Sequence, residues 1–209
     1  YTVEKDCGCG GTSKPNTLYL LRYMVPKPTV VDKEFCINDT HADDGFDVTI
    51  GLTSDAGEST SNYILEFSEN ADMSGATALP AGIMHFDYTF DVSATGSKTY
   101  YVRQQQISSG EYSETVPFNV LVKQPSAPAL TDQYVCANTS SNIDFPTICD
   151  EENLIWKDLD NNVKIPTTKR GDITVSAQKY ELINGEQCLS DFSTATIHVD
   201  SLDVAVSGD

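Results

Sequence analysis

The residues with the most specific chemistry in this 209-residue chain are six cysteines, Cys7, Cys9, Cys36, Cys136, Cys149 and Cys188. A zinc site wants paired ligands in C-x-x-C or H-x-x-x-H spacing. Neither occurs, and Cys7 and Cys9 sit too close together for the usual ligand hairpin. Thiols spread singly through a chain of this composition are those of disulfides formed in an oxidising compartment. Hard-cation chemistry is the next candidate. Asp39, Asp43 and Asp44, with Asp47, crowd one short stretch, and Asp158 and Asp160 alternate along another ahead of Asn161 and Asn162. Alternating oxygen ligands on a turn suit calcium, although neither stretch has the glycine at position six and the glutamate at position twelve of an EF-hand loop. The competing reading is a solvated acidic turn in which Asp and Asn cap their own backbone.

Catalytic chemistry finds little to work with. His41, His85 and His198 are far apart in sequence, and no G-x-S-x-G or H-E-x-x-H accompanies them. Carboxylate pairs such as Asp43-Asp44 and Glu151-Glu152 serve glycosidase chemistry only when a cleft holds two at a set separation with one protonated. The chain is therefore read as a non-enzyme needing no cofactor, with calcium the one ion its residues suggest. A formal net charge of -18 excludes nucleic acid and anionic lipid as partners, because either would meet a repulsive field. No apolar run is long enough for direct insertion into a bilayer. The opening on Tyr1 is expected of a mature product or an excised piece.

The elements that must position these residues read as strands. Phe46 to Leu52, Tyr63 to Phe67, Phe86 to Phe90, Tyr100 to Arg103 and Phe118 to Val122 alternate apolar and polar residues between turn-forming residues. Further along, Ile143 to Phe145, Leu154 to Trp156, Ile173 to Val175, Tyr180 to Ile183 and Ala195 to Val199 do the same, with Asn184-Gly185 as a turn signal. No stretch carries a sustained helical stripe. Short strands at this spacing predict an all-β chain of sandwich domains.

A repeat orders them. Pro28, Asp32, Cys36 and Asn38 return as Pro128, Asp132, Cys136 and Asn138, one hundred residues later. Stiff proline-containing joins at Pro26-Lys27-Pro28 and Pro125 to Pro128 mark boundaries, giving domains over 26–123 and 124–209. Tyr1 and Cys9 are spaced as Tyr180 and Cys188 are, so 1–25 reads as the terminal hairpin of a preceding or incomplete domain. Its apolar residues Leu18, Leu20 and Val25 form an edge that another strand is expected to cover.

The proline-rich start, the Cys-x-Asn step, Trp156 on a third strand and the closing Tyr-x-Leu with Gly185, Cys188 and Ser190 resemble the Ig-like repeats of Bacteroidota cell-surface and type IX-secreted proteins, gliding adhesins among them. The first full domain is also similar to fibronectin type III through Tyr63 to Ser68. The resemblance implies tandem Ig-like or fibronectin-like β-sandwiches in an extracellular stalk or adhesin at the cell surface, or a secreted filament subunit. Its partners are neighbouring domains or subunits of the same protein, and surface glycans. Alternatives are an accessory carbohydrate-binding module of a secreted enzyme and a phage surface decoration domain. Given an Ig-like strand order, Cys149 and Cys188 share one pole of a sandwich and make a feasible pair. Cys136 lies at the other pole, about 20 Å or more away for six-residue strands, so Cys136 with Cys188 requires a pinched sandwich. Cys36 has no evident partner within its own domain; it bonds across the junction to the next, or back to Cys7 or Cys9. Asp200-Ser201-Leu202 resembles the O-glycosylation acceptor of the same phylum, placing a sugar on Ser201. Trp156 is expected in the core, and Tyr112 and Tyr134 at the surface.

Overall fold

The computed structural model describes residues 24–53, 57–137, 148–157 and 170–200. These form strands and loops, with a 3-10 turn at Thr60–Asn62. In the first half the strands are β1 (Lys33–Cys36), β2 (Phe46–Asp47), β3 (Tyr63–Ser68), β4 (Thr77–Ala78), β5 (His85–Phe86), β6 (Gly96–Gln106) and β7 (Val116–Lys123). One sheet runs in the order β1-β7-β6-β3-β4, and β2 pairs with β5 in a second. In the second half, β8 (Gln133–Cys136), β9 (Leu154–Trp156), β10 (Gly171–Ile183), β11 (Glu186–Leu189) and β12 (Ser193–Asp200) form a sheet ordered β11-β10-β12-β8, with β9 also on β10. The chain is all-β, of Ig-like sandwich architecture. No helix among the described residues is long and apolar enough to cross a membrane.

Alternation along the strands explains the first core. β3 and β7 bury every second residue, and Tyr63, Leu65, Tyr100, Val102 and Phe118 are almost wholly enclosed. Phe46 sits between the two sheets, its ring 5.0 Å from that of Phe67, 5.1 Å from Phe86, 5.7 Å from Phe90 and 5.1 Å from Phe118. Such offset and edge-on contacts favour aromatic rings beyond the area they bury. The second core gathers Ile148, Cys149, Trp156, Val175, Ala177 and Ile197, and shares no residue with the first. Trp156 is buried, while Tyr112 and Tyr134 are exposed, the latter by 76%.

The hundred-residue repeat has a mechanical meaning in the structure. β1 runs parallel to β7, and β8 parallel to β12, so each half pairs its first strand with its last. The repeat's aspartate starts both pairs: Asn119 N–H donates to Asp32 Oδ1 and Thr196 N–H to Asp132 Oδ1, each at 2.7 Å. The repeat's cysteine ends both, with Cys36 opposite Lys123 and Cys136 opposite Asp200. Just beyond, Ile37 N–H donates to the Lys123 carbonyl and Ala137 N–H to the Asp200 carbonyl. A second correspondence was not legible as a repeat because its offset differs. Ser113 and Ser190, both buried, accept the N–H of Gln104 and Lys179 respectively, and donate to the carbonyls of Glu114 and Asp191.

Several expectations need correction. Val25, expected on an edge to be covered by another strand, is buried in the first core. Leu18 and Leu20, like Cys7 and Cys9, lie outside the described residues, as does the expected strand Ile143 to Phe145. Ile173 to Val175 and Tyr180 to Ile183, expected as two strands, are one continuous thirteen-residue strand, β10. It stays paired throughout because β12 and β9 take its first part and β11 its last. The expected strand Phe86 to Phe90 ends as ladder at Phe86, although Phe90 is still buried.

Candidate functional site

The sequence-nominated cysteines meet where the two sandwiches join. Cys36 and Cys188 form a disulfide with Cα atoms 5.3 Å apart, bridging 152 residues of chain. Each is brought there by local structure. Cys36 ends β1 at the pole of the first sandwich where β7 runs out into the linker. Cys188 lies on β11, in a hairpin closed by Asn184-Gly185 with φ of 54° and 89°. Two successive positive-φ residues make the tight turn whose twist matches the strands it joins, and Asn-Gly suits it best. The hairpin thus projects as a stiff finger from its sheet. Cys188 is wholly enclosed although Gln187 and Leu189 beside it are exposed, because the first sandwich covers it.

Polar contacts surround the bond. Asn184 Nδ2 donates to the Glu34 carbonyl at 2.8 Å, fixing the finger's tip to β1. Gln124 Nε2 donates to Asp191 Oδ1 at 3.3 Å, and Cys188 Sγ lies 3.5 Å from the Lys123 carbonyl oxygen. Beside the disulfide opens a cleft of about 410 Å³ lined by Asn38, Gln124, Gln178, Glu186 and Gln187, with Asp39 and His41 at its side.

This geometry corrects the leading disulfide expectation. Cys149 does not pair with Cys188: it is an unbridged thiol buried in the second core. The physical reason is the hairpin, which carries Cys188 outward to Lys123 and leaves Cys149 inside. Cys136 with Cys188 is excluded within one module. Cys188 is level with Glu181, and Cys136 lies past Val135, which shares Val199 with Gly171. About ten residues of β10 separate the two levels, roughly 33 Å at ~3.3 Å a residue, against a disulfide's few ångströms. The partner of Cys36 is the cross-junction alternative, and Asn184, Glu34 and Gln124 around it were not singled out from sequence. The hairpin's Asn-Gly next to an unplaced cysteine was the available signal.

The acidic stretch beside the junction is occupied by its own backbone. Asp39 Oδ1 accepts from His41 N–H at 2.9 Å and lies 3.2 Å from His41 Nδ1, and Oδ2 accepts from Cys36 N–H at 3.4 Å. Burial pushes the Asp39 carboxyl up, but the N–H groups of His41 and Cys36 and the His41 imidazole outweigh it and hold the group below its ordinary value. Asp43 and Asp44 point into solvent. Among the described residues no three histidine, cysteine or carboxylate side chains converge as a metal site. Asp158, Asp160 and Ser201 lie outside the described residues.

The histidines occupy three separate places, each beside an aspartate: His41 with Asp39, His85 with Asp47 at 2.8 Å, and His198 with Asp172 at 2.8 Å. Tyr134 stacks on His198 with centroids 4.5 Å apart. In the second sandwich, Glu151 accepts from Ala129 N–H at 2.8 Å and pairs with Lys179 at 3.0 Å, tying the linker's end to β10.

No protein-family model matches the chain, and no curated protein matches it. Among solved structures it is similar to human protocadherin-24 EC1-2, at 10% identity and a TM-score of 0.35, over 86% of this chain and 100% of that one. It is also similar to the human desmocollin-1 ectodomain, at 12% identity and TM-score 0.32, over 82% of this chain and 39% of that one. A third is Drosophila N-cadherin EC1-4, at 11% and 0.31, over 84% and 50%. The chain spans two fifths and one half of the last two, and the fold assignment rests on the strand order above.

Proposed function

We propose that the chain is a structural and adhesive repeat region of an extracellular surface protein, a stalk or adhesin of the Bacteroidota type, whose working feature is a joint locked between sandwiches. The observation that carries this reading is the Cys36–Cys188 bond across two modules with separate cores. A bond inside a module stabilises that module; a bond between modules fixes their relation, which matters to a molecule that must transmit load. The bond also argues for an oxidising compartment outside the cytosol. The parallel pairing of first and last strands adds support. Once that bond is reduced, tension drawn from the two ends of a module pulls such neighbours in opposite directions, so their ladder hydrogen bonds are loaded together in shear. The role is non-enzymatic, and neighbouring modules or subunits are the partners.

Small-angle scattering of the oxidised chain and of Cys36→Ser tests the joint. The oxidised chain is expected to give a single narrow distribution of interdomain distances, and Cys36→Ser a broader one. Superimposable curves would remove the bracing role. A second reading, binding of surface glycans, draws on the amide-lined cleft beside the disulfide, since amides and carboxylates are what sugar hydroxyls bond to. Glycan-array binding that is lost in Gln187→Ala would favour it.

A further inference from the structure

We infer that the cleft beside the disulfide admits a small cationic thiol, and that this thiol opens the joint by bonding to Cys36 and releasing Cys188. The inference rests on reading the Cys36–Cys188 bond as the lock between sandwiches, and deepens it by naming what unlocks it and from which side.

The two sulfurs differ in access. Cys188 is wholly enclosed, whereas Cys36 is half-buried and forms part of the cleft wall. Exchange needs a thiolate to reach one sulfur of the bond and expel the other. An enclosed sulfur is not reached, so attack falls on Cys36 and Cys188 is the leaving group. At about 410 Å³ the cleft is of the size that takes a small molecule. Its wall selects by charge. Asp39 and Glu186 line it, with His41 against Asp39, and among the described residues no lysine or arginine does. Lys123 and Lys179, each next in sequence to a lining glutamine, are drawn away to Glu34 and Glu151, both at 3.0 Å. A thiol carrying an ammonium is therefore drawn in, and one carrying a sulfonate is held off.

The thiolate gives an electron pair to Cys36 Sγ. A new S–S bond forms there as the Cys36–Cys188 bond breaks, and the electrons of the broken bond leave on Cys188 Sγ, which takes a proton from solvent. The Lys123 carbonyl oxygen, 3.5 Å from Cys188 Sγ, is placed to accept from the new S–H. The finger then keeps the hydrogen bonds of Asn184 to the Glu34 carbonyl and of Gln124 to Asp191.

The test uses the full oxidised chain at mildly alkaline pH and low ionic strength. Cysteamine serves as the cationic thiol, mercaptoethanol as the neutral one and mercaptoethanesulfonate as the anionic one, at equal thiolate concentration. Samples are quenched in acid, alkylated in urea and mapped by mass spectrometry. The first adduct is expected on Cys36, with Cys188 recovered in alkylated form. Opening by cysteamine should be on the order of tenfold faster than by the sulfonate. Glu186→Gln should narrow that ratio severalfold, whereas Glu111→Gln, the same change of charge outside the cleft, should leave it in place. A first adduct on Cys188, rates that do not follow the charge of the thiol, or equal effects of the two substitutions overturns the inference. Each of these leaves the bracing role standing, since the bond is still there to be broken. That role fails separately, if scattering from the opened, cysteamine-bearing chain superimposes on that of the oxidised one. A chain that forms no Cys36–Cys188 bond under oxidising conditions overturns both.

Discussion

Pulling the chain by its ends isolates what the cross-module bond does. The disulfide encloses 152 residues, whose fully extended length is about 530 Å at ~3.5 Å a residue. Its two Cα atoms are only 5.3 Å apart in the folded protein, so almost all of that length is hidden from force while the bond is intact. Both cores lie largely inside the enclosed loop. An oxidised chain held in optical tweezers is therefore expected to lengthen only by what lies outside Cys36 and Cys188. Adding a reductant, or replacing Cys188 with serine, should release about 530 Å more as the sandwiches unravel. Shear across β1 and β7, and across β8 and β12, should make the release events abrupt, because each ladder breaks as a unit. The reasoning is refuted if oxidised and reduced chains reach the same extended length, or if Cys188→Ser keeps the short extension of the oxidised protein.

Other outcomes follow from the same contacts. Ser190→Ala removes a buried hydroxyl that accepts the part-buried N–H of Lys179 and donates to the carbonyl of Asp191, so it should lower stability by about 1 kcal/mol in a urea titration; a change under a few tenths would mean solvent reaches those groups. Phe46→Ala empties the centre of the first aromatic cluster and should cost about 3–5 kcal/mol, read as loss of the first unfolding transition with the second unmoved in Cys36→Ser background. The Ala129 N–H and then Lys179 hold the Glu151 carboxyl below its ordinary value near 4.5, so its folded form loses the proton more readily than its unfolded form. Its stabilising effect is present above that value and fades as pH falls through the lower folded one. Glu151→Gln should accordingly flatten the acid limb of a stability–pH curve while leaving the limb above pH 6 in place, and an unchanged acid limb would assign it to other carboxylates.

The front of each module was legible in the sequence and its rear was not, for a physical reason. Asp32, Cys36 and their copies keep one offset because a parallel pair with the last strand needs the same start and stop in both modules. Ser113 and Ser190 make the same bonds at a different offset, since the connections between front and rear differ in length and the hairpin before Ser190 is longer. Strand β1 carries no legible alternation: of Lys33, Glu34, Phe35 and Cys36 only Phe35 is fully buried, as on an edge strand. Among the site residues, burial of Trp156 and exposure of Tyr112 and Tyr134 followed from local pattern. The disulfide did not, because cysteine pairing depends on which module's pole a hairpin reaches, and no local pattern carries that.

Loop entropy shows that stability alone does not select Cys36 over Cys149 as the partner of Cys188. Closing the loop of about 40 residues between Cys149 and Cys188 would destabilise the unfolded chain by about 4 kcal/mol, and closing the 152 residues from Cys36 does so by about 5 kcal/mol. The difference, about 1 kcal/mol, is within what one buried hydrogen bond supplies. What differs in kind is the result: the shorter bond would pin a loop to the core it already borders, whereas the longer one joins two cores that share no residue. A hairpin finger tipped by Asn184, bonded at its own turn to Glu34, has its use only in the second arrangement. In the jointed stalk proposed above the finger serves the joint, since a more stable second sandwich alone does not require it.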